Sequence, residues 1–151
     1  MPAKIDFLAI YVPELKQSEQ YYRQLYDMEV ITREVERGNG LWYALPKDKG
    51  WADAGKVGIE IGILALRREE FVLAMFPCDP IPGQLFTIGL SMAGAEIDAI
   101  AQRLPEEDIM EYCEADVLEF KDRYGYPWQL YAVPYQFKSA GEFANRWIEL
   151  P

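Results

Sequence analysis

The chain repeats itself, and the repeat constrains the fold more than any other feature of the sequence. Phe71-Val72-Leu73-Ala74-Met75-Phe76-Pro77 and Trp128-Gln129-Leu130-Tyr131-Ala132-Val133-Pro134 share the order aromatic-x-Leu-x-apolar-apolar-Pro, 57 residues apart. Upstream, Ile5-Asp6-Phe7-Leu8-Ala9-Ile10 reads against Leu85-Phe86-Thr87-Ile88-Gly89-Leu90, 80 residues apart. A fixed internal period signals stacked copies of one supersecondary unit. The two spacings differ, so the first copy carries about 23 extra residues, part of them in the loop-like stretch 46–56.

Each copy reads in the same order. Residues 5–12 form an apolar strand, and 14–26 place Leu15, Tyr22 and Leu25 near one helical face. Residues 29–37 read as a strand, Gly38-Asn39-Gly40 as a hairpin turn and 41–45 as its return. Strands at 57–66 and 71–76 flank the polar turn 67–70. The second copy has strand 86–92, helix 96–104, strands 108–113 and 117–121, turn 122–125 and strand 128–133. The predicted class is therefore α+β: two tandem βαβββ modules with curved mixed sheets, module one over 4–79, a stiff linker at 80–84 and module two over 85–134. They make up one domain. A tail, 135–151, follows; Ser139 and Glu142 suit a helix start, and Phe143 and Trp147 share a helical face.

Composition narrows the chemistry. The 151 residues include no histidine, which excludes His-centred triads and His-ligated metals. A net charge of −10 repels nucleic acid and anionic lipid, and favours a cationic small molecule or basic partner. No apolar run spans a bilayer, and the N-terminus has no signal-peptide pattern, so a cytoplasmic location is expected. Cys78 and Cys113 are then expected as free thiols, Cys113 as a small buried hydrophobe.

The opening strand, with Ser18-Glu19-Gln20-Tyr21-Tyr22-Arg23-Gln24-Leu25-Tyr26, resembles the first strand and S-x-x-F-Y-x-x-x-L-G helix of the vicinal oxygen chelate superfamily, although Tyr26-Asp27 replaces the Leu-Gly corner. Phe120-Lys121-Asp122-Arg123-Tyr124-Gly125-Tyr126-Pro127-Trp128-Gln129-Leu130 is similar to its F-x-D-P-D-G-N-x-x-E-L motif. The resemblance covers roughly residues 5–134. It implies curled sheets around a cavity, often in a homodimer, and a divalent metal held by one ligand from each of four strands. The matching positions are Phe7, Val72, Thr87 and Gln129. Only Gln129 could ligate, and a neutral amide is a poor donor alone. The resemblance thus points to the metal-free, bleomycin-resistance-like branch, with no cofactor.

Strand alternation assigns the cavity lining. Phe7, Ala9 and Tyr11 should face it, as should Val72, Ala74 and Phe76; Thr87, Gly89 and Ser91; and Gln129, Tyr131 and Val133. Leu8, Ile10, Val12, Ile88, Leu90, Met92 and Leu130 should form the core beneath the helices. Glu60 and Glu119 both have cavity parity and are expected as repeat equivalents, allowing a turn two residues longer in module one. They either bind a cationic ligand, or act as acid and base, or are merely solvated. Trp42, Tyr43, Trp51, Tyr124, Tyr126 and Trp128 fall near the cavity mouth, where stacking on a ligand competes with core packing, the safer reading for each except Trp51, which is a lid residue or dimer contact.

The expected ligand-binding set is Phe7, Tyr11, Trp42, Glu60, Phe76, Thr87, Ser91, Glu119, Gln129 and Tyr131. The leading expectation is metal-independent binding or sequestration of a cationic or aromatic compound, such as an antibiotic, by a homodimer. One alternative is a lyase or isomerase using carboxylates and tyrosines without the usual metal. Another is a protein-interaction module.

Overall fold

The computed structural model describes residues 2–133, so expectations for the tail 135–151 lie outside the described residues. The chain divides into two compact units between Gln84 and Leu85. No helix among the described residues is long and apolar enough to cross a membrane.

Module one comprises β1 (Leu8–Val12), α1 (Leu15–Tyr26), β2 (Glu29–Glu36), β3 (Trp42–Ala44), α2 (Trp51–Lys56), β4 (Ile63–Arg68) and β5 (Phe71–Pro77), with strand order β1-β5-β4-β2-β3. Strands β1 and β5 pair in parallel, the crossover that a βαβ unit requires. Helix α1 buries Leu15, Ser18, Tyr22, Leu25 and Tyr26, spaced three and four apart. These pack over Leu64, Leu66, Leu73 and Met75 of β4 and β5. Asp27 ends the helix in the left-handed conformation at φ 52, doing the work a corner glycine would do.

Module two comprises β6 (Ile88–Ser91), α3 (Gly94–Arg103), β7 (Ile109–Glu114), β8 (Val117–Lys121) and β9 (Pro127–Tyr131), ordered β6-β9-β8-β7. Its core is Leu118, Phe120, Trp128 and Leu130 beneath Ile97 and Ile100 of α3. Only those two helix residues are buried. Ile88 and Leu90 are accordingly half-buried, as is Met92, whereas Ile10 and Val12 are buried.

The ladders set the repeat more finely than the sequence motifs do. Ala9 pairs with Ala74, and Gly89 pairs with Gln129. The equivalent of Gln129 is therefore Ala74, not Val72. The turn between β8 and β9 is one residue longer than that between β4 and β5, because Phe120 pairs with Trp128 where Leu66 pairs with Leu73. A bulge recurs at the same place, between Val30 and Thr32 and between Met110 and Tyr112.

The insertion of module one is β3, α2 and the segment 57–62. Two expectations fail here. The stretch 51–56 is helical rather than loop, because the Asp53 carboxylate accepts from Gly50 N at 2.9 Å and Ala54 is buried. The run 57–66 becomes strand only at Ile63, because the exit from α2 occupies its first half. Gly58 there adopts φ 69, and Ile59 N donates to Ala54 O at 3.0 Å. Cys113, expected to be buried, is exposed, as is Cys78. Every residue of β7 is exposed, and no helix among the described residues covers Cys113.

Candidate functional site

Each sheet turns one face to its helix and leaves the other open. On module one the open face is apolar at its centre and charged at its margins. Ala9 and Tyr11 lie beside Ala74 and Phe76 in register, and Ala65 lies beside Ala74 on the other side. Phe7, Val72, Ala74 and Phe76 line a cavity of about 760 Å³. Glu34 and Arg67 also line it, as the charged groups carried by β2 and β4.

Module two's open face is polar. Tyr112, Glu119, Gln129 and Gly89 form a row across four strands, each opposite the next. The adjoining row runs from Glu114 through Val117 and Tyr131 to Ser91. Glu119, Gln129 and Tyr131 are half-buried. The Tyr131 hydroxyl donates to Gln129 Oε1 at 2.8 Å, leaving the amide nitrogen to donate elsewhere. A hydrogen bond to Glu114 holds the Tyr112 proton and raises its pKa above the ordinary 10.0; burial and the charges of Glu114 and Glu119 act in the same direction. A half-buried carboxylate beside an amide and two phenols can bind a cation or hydrogen-bond donors. It also sets a proton donor near a base.

The two faces differ at equivalent positions. Ala65 and Ala74 stand where Glu119 and Gln129 stand. Glu60 is therefore not the repeat equivalent of Glu119. It lies in the irregular segment before β4 and lines a separate cavity of about 1060 Å³, together with Trp42. Of the expected ligand-binding set, Phe7, Tyr11 and Phe76 fall on module one's open face. Ser91, Glu119, Gln129 and Tyr131 fall on module two's. Thr87 precedes β6 with its hydroxyl oxygen buried and without a hydrogen-bond partner among the described residues.

Trp128 does not line a cavity mouth. It is the largest buried side chain of module two, and its indole N–H donates to Asp122 Oδ2 at 2.8 Å. Asp122 is itself buried and also accepts from the backbone N–H groups of Tyr124 and Tyr126 through Oδ1. The aspartate of the turn motif is thus a structural knot. Trp51 is half-buried, and its indole N–H donates to Glu19 Oε1 at 3.1 Å. Glu19 is buried on α1 and takes a bidentate pair from Arg33, at 2.6 and 3.0 Å. Sequence reasoning missed this cluster. Its signal was an acid on the buried face of an amphipathic helix, which demands a partner.

The positions that would hold a divalent metal carry Phe7, Ala74 or Val72, Thr87 and Gln129. One hydroxyl and one neutral amide do not make a divalent-metal donor set. Among the described residues no group of three or more Cys, Asp or Glu could hold such an ion elsewhere. The residues do not fit the metal.

The sequence matches no family model and no curated protein. Solved structures match over most of the chain. The fosfomycin resistance protein FosX of Listeria monocytogenes, complexed with Mn(II) and 1S,2S-dihydroxypropylphosphonic acid, is 12% identical with a TM-score of 0.61, over 87% of this chain and 93% of that one. FosX of Mesorhizobium loti is 13% identical with a TM-score of 0.58, over 89% and 94%. A possible glyoxalase from Bacillus cereus is 14% identical with a TM-score of 0.56, over 87% and 100%. At such identities the likeness is one of fold.

Proposed function

We propose that this chain, whose fold is that of the vicinal oxygen chelate superfamily, binds or sequesters a small molecule without a metal, in the manner of the bleomycin-resistance-like branch. The observation that carries this reading is the polar strip of Glu119, Gln129 and Tyr131, which stands where the resemblance would put a metal ligand. A carboxylate, an amide donor and a phenol select a cationic or hydrogen-bond-donating group. The cavity lined by Phe7, Val72 and Phe76, with charged residues such as Glu34 and Arg67 at its margins, has the size of a small-molecule site and supports an aromatic compound. Likeness to fosfomycin resistance proteins supports antibiotics among the ligand classes. The working unit is a cytoplasmic homodimer.

A second reading rests on Tyr112. It lies directly opposite Glu119 across the β7–β8 ladder, so a phenol and a carboxylate stand side by side. That arrangement supports lyase or isomerase chemistry by acid and base alone. Likeness in fold to a possible glyoxalase favours keeping this reading.

Calorimetric titration with a panel of cationic aromatic antibiotics tests the first reading. Stoichiometric binding that survives chelator and weakens in Glu119→Gln is expected. Turnover of a bound compound, abolished in Tyr112→Phe with binding intact, would favour the second.

A further inference from the structure

We propose that module one carries a second binding site, for an organic cation, in the cavity at its insertion. This inference goes beyond the polar strip and stands independently of it. The cavity, about 1060 Å³, lies where α1 begins, where β2 and β5 end, and where the insertion folds back. It shares no lining residue with the open-face cavity.

Two indoles line it, and each is held by a contact of its own. Trp42 packs against Gly62 so closely that a Cβ there would lie 2.9 Å from its ring, yet the residue remains 47% exposed. Trp51 is tied through its indole N–H to the buried Glu19. Fixed aromatic surfaces cost little to order when a ligand arrives. Glu14, Glu36 and Glu60 contribute carboxylates to the lining, against Lys16 and Arg37. Glu36 spends one oxygen on the backbone N–H groups of Gly38 and Gly40, whereas Glu14 and Glu60 are exposed. Indole faces with surplus carboxylates are the chemistry that recognises a quaternary or planar organic cation. Trp42, Trp51 and Glu60 belong to the insertion, which has no counterpart in the βαβββ order of module two. The site's two indoles are therefore supplied by the added segment, and part of its charge by the shared fold.

Benzyltrimethylammonium serves as the probe, followed by tryptophan fluorescence and by calorimetry on the full chain. Saturable binding with one cation per chain is expected. Trp42→Leu should weaken it about tenfold, and Trp42→Phe less, because a smaller ring face remains. Glu60→Gln, at an exposed position, should weaken it several-fold without altering the fold, and added salt should mimic that loss. Absence of saturable binding up to ~10 mM overturns the proposal. So does binding that is indifferent to both Trp42→Phe and Glu60→Gln. If Glu119→Gln abolishes binding while the Trp42 variants retain it, the cation occupies the polar strip; this inference then falls and the earlier reading stands. If only the Trp42 and Glu60 variants lose it, the second site is established whatever the fate of the strip.

Discussion

Glu119 of β8 lies directly opposite Gln129 of β9, in the register position that Ala65 and Ala74 fill in module one. The two modules share a scaffold but not a surface: at these positions one face carries two methyl groups and the other a carboxylate and an amide. Glu119→Gln removes the charge and keeps the shape. Calorimetry should show a cationic ligand binding roughly tenfold more weakly, with a shallower salt dependence. Thermal unfolding should be unchanged within about 0.5 kcal/mol, as for other substitutions outside the core.

The buried Glu19 joins α1 to both β2 and α2. Glu19→Ala leaves Arg33 without its bidentate partner and Trp51 without its acceptor. Breaking such a pair costs about 3 kcal/mol, because the remaining charge is left poorly compensated. Denaturant titration should show that loss. It should also show a protease cutting sooner within 46–62, where α2 has lost its tether.

Most of the fold was legible, and the errors have a common physical origin. Side-chain direction along a strand has period two. Aligning Val72 rather than Ala74 with Gln129 is a two-residue slip, which preserves parity, so Val72, Ala74 and Phe76 were still placed on the open face. A one-residue slip would have inverted the face. The slip misled at Glu60, whose supposed equivalence with Glu119 depended on loop length. Apolar composition over 57–66 resembled a strand, but the helix exit at Gly58 is set by α2, and α2 is held by the distant Glu19. Contacts of that range leave little local signature. Trp128 shows the same limit: its partner, Asp122, decides that it is core.

Tyr112 makes a pH prediction. Its pKa is raised in the folded chain, so its neutral form is favoured there. That contribution to stability is present below the ordinary value of 10.0 and is lost as pH rises through the folded value. A spectrophotometric phenol titration of Tyr112→Phe should lack one late-titrating group. Loss of an early one instead would contradict the assignment.

A homodimer is expected on the proposed function. Light scattering at tens of micromolar, roughly a concentration well above a useful dissociation constant, should give twice the chain mass of 17.4 kDa. A monomer throughout that range would restrict function to sites complete within one chain.

The central claim is metal-independent binding. Native mass spectrometry of the protein purified from its own host, before and after treatment with a chelator, tests it most directly. The account predicts a small-molecule adduct that survives chelation, and far less than one metal per chain. A stoichiometric divalent metal, with an adduct that departs when the metal is removed, would contradict it.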